Sequence, residues 1–204
     1  MITASQLTKS YGSMRALSDI TLAVAQGEIY ALLGRNGAGK TTLLNILITL
    51  TRPDGGRARV AGFDVVADAL AVRQCIGVTF QEPLTERLLR GRDVLDLQGE
   101  LHGLPPRERR ARIAELARLL ELEAVLDRRV KTYSGGEARR LELARSLMTH
   151  PRVLFLDEPT AGLDLPSREQ FWSLLQHLRD TRGLTVLFTT HAMDEAEALA
   201  CSSG

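Results

Sequence analysis

The chain has 204 residues, 44% of them hydrophobic, enough to bury one substantial core and, at roughly 150 residues per domain, too few for three domains. With 26 Lys plus Arg against 25 Asp plus Glu the net charge is +1, which excludes a whole-molecule field for nucleic acid or an anionic membrane and leaves any phosphate binding to a local site. Cys75 and Cys201 have no metal-type spacing, no run reaches the ~18 consecutive apolar residues of a membrane span, and Met1 opens into a polar segment without a signal-peptide pattern, so the expectation is a cytosolic chain unless a partner holds it at a membrane.

In chain order, Ile29 to Leu33 is a short apolar run, followed by the glycine-punctuated stretch from Gly34 to Lys40 and a helical pattern from Thr41 to Leu50. That order reads as strand, loop, helix. Pro53, Asp54, Gly55 and Gly56 form a turn signal, after which Arg57 to Val60 and Ile76 to Phe80 read as short strands around a helical Ala69 to Gln74. From Arg107 to Leu122, Ile113, Leu116 and Leu120 share one face with charged residues opposite, and no strand is expected between Glu82 and Lys131; this is a helical insertion. Val153 to Leu156 and Thr185 to Thr189 are continuous apolar runs suited to buried parallel strands. Between them lies a helix with Phe171, Leu174, Leu175 and Leu178 in register. Such alternation predicts a parallel sheet covered by helices.

Chemistry concentrates at two places. Gly34, Arg35, Asn36, Gly37, Ala38, Gly39, Lys40 and Thr41 match G-x-x-x-x-G-K-[ST] in full, in the strand–loop–helix context the motif requires, with Thr42 following. Glycines let backbone N–H groups converge on a phosphate, the helix start adds positive potential, Lys40 reaches the β and γ phosphates, and the Thr41 hydroxyl can ligate Mg²⁺. The required carboxylates follow the run Val153 to Leu156: Asp157 suits the metal and Glu158 the attacking water, although acids at strand ends also cap helices.

The segment Tyr133, Ser134, Gly135, Gly136, Glu137, upstream of Asp157, Glu158 and the Ala161 to Asp164 stretch, makes the sequence resemble the ATP-binding cassette (ABC) family over nearly its whole length. The resemblance implies an α/β fold: a P-loop NTPase (RecA-like) core with a mostly parallel sheet, an N-terminal antiparallel β part and an inserted helical subdomain. It divides a single domain, 1–204, into a nucleotide-binding core with the β part, 1–81 and 135–204, and a helical subdomain at about 82–134.

It also implies roles. Tyr11 stacks on adenine; Gln81 meets Mg²⁺ and the water; Asp164 lies near a dimer seam; His191 contacts the γ-phosphate. Ser134, Gly135 and Gly136 close over the nucleotide of a second, head-to-tail cassette in a homodimer. By residue type alone, Ser134 and Asp164 equally suit helix caps. The implied function is ATP hydrolysis with Mg²⁺ coupled to transport through a separate transmembrane permease, at the inner face of the cell membrane. The subgroup most similar is the daunorubicin-resistance type of drug exporter.

Nucleic acid is not an expected partner. Rival readings are a soluble cassette ATPase acting on DNA or ribosomes, and a non-hydrolysing fragment. Two departures stand out: Tyr133 and Glu137 replace the commonest Leu and Gln, and the sequence stops at Gly204 where the family usually continues, so the C-terminal end is expected to be truncated.

Overall fold

The structure, a computed structural model, describes residues 1–35, 37–80, 87–193 and 195. Two long antiparallel strands, β1 (Ile2–Tyr11) and β2 (Met14–Val24), lead to β3 (Ile29–Leu33) and α1 (Lys40–Leu47). After β4 (Gly55–Val60), β5 (Phe63–Asp64), α2 (Ala69–Cys75) and β6 (Ile76–Thr79) come α3 (Gly91–Leu101), α4 (Pro106–Leu119) and α5 (Gly135–Ser146), then β7 (Val153–Asp157), α6 (Leu165–Arg182) and β8 (Thr185–Thr190). One sheet is antiparallel in the order β2-β1-β4-β5; the other is wholly parallel in the order β3-β8-β7-β6. The expected α/β fold, with a parallel sheet, an N-terminal antiparallel part and helices between β6 and β7, is what forms.

The parallel strands lack polar alternation because both of their faces are buried. Val153, Phe155 and Leu187 pack into a core shared with the antiparallel sheet, α1 and α2; the alternate residues Leu154, Leu156, Val186 and Phe188 pack into a second core with α3 to α6. Trp172 of α6 lies against Phe188, ring centroids 4.6 Å apart. Each such aromatic buried contributes about 1.5–3 kcal/mol relative to exposure. Helix α6 starts where the Asp164 carboxylate accepts the Ser167 N–H at 3.2 Å and ends at left-handed Gly183.

Element boundaries shift for local reasons. Helix α1 closes at Leu47, short of Leu50, because Thr49 turns left-handed at φ 69. Helix α4 closes at Leu119, short of Leu122, before Glu121 at φ 53. The expected turn at Pro53 to Gly56 gives up its glycines to β4. There a Cβ on Gly56 would stand 2.3 Å from the Gln6 carbonyl oxygen, so only glycine lets β4 pass the irregular stretch of β1. Strand β6 ends at Thr79 rather than Phe80.

Candidate functional site

The C-terminal ends of β3, β7 and β8 lie side by side, so residues distant in sequence meet at one rim. The 34–39 loop leaves β3 with the Gly34 N–H on the Thr190 carbonyl at 3.4 Å, beside the end of β8. It enters α1 through left-handed Gly39, φ 88, where a Cβ would meet the Ala16 carbonyl oxygen at 2.5 Å. The first helical bond among the described residues is Leu43 N–H to Gly39 O at 2.9 Å, so the Lys40, Thr41 and Thr42 amides precede the ladder, where a helix start presents its donors. The Lys40 ammonium folds over the loop, donating to the Gly34 carbonyl at 2.5 Å and reaching the Arg35 carbonyl at 3.3 Å.

This loop floors a cleft of about 430 Å³ also lined by Tyr11, Met14, Asp157 and Glu158. Tyr11 and Met14 face each other across the β1–β2 turn, and Tyr11 is 45% exposed, with the Lys9 ammonium 5.6 Å from its ring centre. A flat aromatic beside a phosphate-type loop offers a stacking platform for a base.

Asp157 is buried at the end of β7. The Thr189 hydroxyl donates to its Oδ1 at 2.5 Å and accepts the Glu158 N–H at 3.0 Å, so one side chain of β8 fixes both acidic residues. Glu158 adopts a left-handed backbone, φ 47, that turns its carboxylate toward His191, whose Nδ1 lies 3.3 Å from Oε1.

Sequence reasoning thus placed Gly34, Gly37, Gly39, Lys40, Thr41, Thr42, Asp157, Glu158, Tyr11 and His191 on elements that meet here, with Ala38 in the same loop, its N–H on the Arg35 carbonyl at 3.1 Å. Asn36 and Gln81 lie outside the described residues.

Ser134, Gly135, Gly136 and Asp164 do not line this cleft. Ser134 caps α5 reciprocally: its Oγ accepts the Glu137 N–H at 3.2 Å and the Glu137 carboxylate accepts the Ser134 N–H at 2.7 Å. Asp164 caps α6, and the hydrogen bonds from Ser167 hold its carboxyl below the usual range. The Tyr133 hydroxyl donates to the Val125 carbonyl at 2.7 Å, and burial, then the nearby Glu137 charge, push its pKa up to about 12.

Two neighbours of the candidate site escaped sequence reasoning. Thr189 is invisible because its role depends on the parallel register that sets it opposite Asp157. Glu195, buried, accepts hydrogen bonds from the hydroxyls of Thr160 and of Thr190 and lies 3.5 Å from Arg168, tying the turn after Glu158 to the end of β8. Its position four residues beyond His191 was the available signal.

A family model described as "ABC transporter" matches residues 17–161. The "Daunorubicin resistance ATP-binding protein DrrA3" of Streptomyces coeruleorubidus is 48% identical over 98% of this chain, which spans 63% of that protein. The chain spans about three fifths of the length of the curated relatives it matches. The solved dimeric structure of MJ0796, a bacterial ABC transporter cassette, superposes with a TM-score of 0.83 at 28% identity, covering 97% of this chain and 90% of that one. A post-hydrolysis dimeric state of the same cassette, bound to ADP and Pi, gives 0.81 at 28%, covering 95% and 89%.

Proposed function

Because this chain belongs to the ATP-binding cassette family of ABC transporters, we propose that it binds and hydrolyses ATP as one half of a head-to-tail homodimer and powers a membrane-embedded permease. The observation that carries this reading is the convergence of Tyr11, Lys40, Thr41, Asp157 and Glu158 on one cleft. Adenine stacks on Tyr11, and the phosphates lie on the Lys40, Thr41 and Thr42 amides at the start of α1. The Lys40 ammonium, now on loop carbonyls, turns to the β and γ phosphates. A hydroxyl and a carboxylate, Thr41 and Asp157, line the same cleft, a hard oxygen donor set that fits Mg²⁺, with Gln81 as a further candidate ligand. When bound, the ion supplies charge neutralisation to the phosphate oxygens.

Glu158, aimed by the Thr189 hydroxyl and by its own backbone turn, orients the water that attacks the γ-phosphorus in line and accepts its proton, while the bond to the β–γ bridging oxygen breaks and ADP leaves with that oxygen. His191, in contact with Glu158, lends a donor to the equatorial oxygens. Ser134, Gly135 and Gly136 stand apart from the chain's own cleft, and that separation supports their serving a second subunit: the helix start at α5 is an anion receptor facing outward. Asp164, at the start of α6, lies at the same seam.

The permease would seat on a groove of about 270 Å³ lined by Leu50, Val78, Phe80 and Gln98, where the exposed apolar side chains of Leu50 and Phe80 stand. This docking holds the chain at the inner face of the cell membrane. The name of the 48% identical relative supports export of drugs or other hydrophobic compounds as the cargo class.

The test is Glu158→Gln, which keeps nucleotide binding and blocks hydrolysis, measured by light scattering with and without Mg-ATP, with Lys40→Ala as the non-binding control. A mass that doubles only with ATP is expected. A monomer under all conditions would sink the paired-site reading.

A further inference from the structure

An anion receptor at a helix start depends on positive potential, yet the signature helix of this chain carries a carboxylate in its first turn. Glu137 stands at the third position of α5 and accepts the Ser134 N–H at 2.7 Å. It stabilises the helix, but it also engages one amide of the receptor and sets a negative charge beside the place where a phosphate must arrive.

The structure supplies a counter-charge from outside the motif. Arg128 Nη1 lies 3.5 Å from Glu137 Oε1, while its Nη2 donates to the Thr132 carbonyl at 2.5 Å and its guanidinium sits 5.7 Å from the centre of the Tyr133 ring. That ring is itself pinned: its hydroxyl donates to the Val125 carbonyl, and Gly91 lies so close that a Cβ there would stand 2.2 Å from the hydroxyl oxygen. The neighbouring acid, Asp127, is engaged by Arg92 at 2.7 Å. Tyr133 and Glu137, the two departures from the commonest signature, are therefore joined through one arginine.

We propose that Arg128 is a positioning residue for the shared phosphate site: it neutralises and orients Glu137, so that the helix start at Ser134, Gly135 and Gly136 keeps its positive potential toward the γ-phosphate of a nucleotide held by a second copy of this chain. The proposal rests on the paired-site reading given above. As a fold-stabilising contact the Arg128–Glu137 pair counts for little, because Arg128 is 45% and Glu137 20% exposed. Its loss is felt when the anion docks and meets an uncompensated carboxylate.

The experiment is a double-mutant cycle in the Glu158→Gln chain, comparing Arg128→Ala, Glu137→Gln and the two together, with ATP-driven dimerisation followed by sedimentation and a fluorescent ATP analogue reporting binding to each monomer. Arg128→Ala is expected to weaken each shared site about 5-fold, the upper range for an exposed pair. Because a symmetric dimer holds two such sites, the dimer weakens about 25-fold. The loss shrinks between about 0.05 M and about 0.5 M salt as the charges are screened. Adding Glu137→Gln restores pairing to within about 3-fold of the Glu137→Gln chain, since the repelling charge is gone.

Analogue binding by the monomer stays level across the set, because Arg128 and Glu137 do not line the chain's own cleft. Pairing as tight in Arg128→Ala as in its parent overturns the proposal. So does a double variant as weak as Arg128→Ala, which would make the arginine a prop for Thr132 and Tyr133 only. If the Glu158→Gln parent binds the analogue but never pairs with ATP, the paired-site reading falls, and this proposal with it.

Discussion

Replacing Thr189 by valine isolates the smallest device at the candidate catalytic centre. The side chain is fully buried and nearly isosteric with valine, so the change removes one hydroxyl and little else. Two interactions go with it: the donation to Asp157 Oδ1 at 2.5 Å and the acceptance of the Glu158 N–H at 3.0 Å. A hydrogen bond to a charged partner contributes about 1.5–3 kcal/mol, and a stranded, part-buried amide costs about 1–3 kcal/mol. The extra methyl returns about 0.8 kcal/mol, so the expected net loss is about 2–5 kcal/mol, read from urea unfolding. Hydrolysis should fall more than binding, because Glu158 loses the bond that sets its direction, and misplacement of a reacting group by about 1 Å can cost 10²-fold. Thr189→Ser keeps the hydroxyl and serves as control, with a loss of about 1 kcal/mol and near-normal turnover. If Thr189→Val unfolds within about 0.5 kcal/mol of the parent, or if Thr189→Ser is equally slow, the hydroxyl does not hold the acidic pair.

Two further outcomes follow from the geometry. His150 has its pKa lowered, first by burial and then by the Arg112 charge, so the unfolded chain takes up its proton before the folded one does as pH falls. The stabilisation is present above about pH 6.5 and is lost as pH drops through the lower folded value, so the urea midpoint should fall between about pH 7.5 and about pH 5.5. His150→Asn, which tolerates the left-handed backbone at φ 51, should flatten that slope; an unchanged slope would remove His150 as its source. Gly39→Ala should abolish binding of a fluorescent ATP analogue, because φ is 88 and the new Cβ would press on the Ala16 carbonyl at 2.5 Å. Gly103→Ala, at φ 75 with nothing within 4 Å, carries comparable backbone strain, about 1–3 kcal/mol, without that clash and should leave binding intact.

What could be read from the sequence follows from how far each piece of chemistry is spread along the chain. The loop from Gly34 to Thr41 is legible because all its parts are contiguous: strand, glycines, lysine and helix start occur within about a dozen residues, and local backbone rules alone build the cradle. Asp157 and Glu158 are legible for a related reason, since a buried apolar strand must deliver whatever follows it to a sheet edge. Their fixation is not legible, because Thr189 reaches Asp157 only through the register of β8 against β7, a relation between residues with sequence separation 32.

The signature segment lies between these cases. Ser134 reads both as a cap and as a phosphate ligand, and the structure shows the cap in full, with Glu137 closing it. The proposed second role would use the other face of the hydroxyl: its lone pair accepts from the Glu137 N–H, and a serine hydroxyl also carries a proton that it can donate. A capped helix start is thus the state from which an anion site is ready-made, provided the capping residue brings no uncompensated charge. Glutamine in the commonest signature meets that condition by being neutral; here, on the proposal above, a carboxylate meets it through Arg128, nine residues earlier, a pairing that forms when Arg128 and α5 fold against each other.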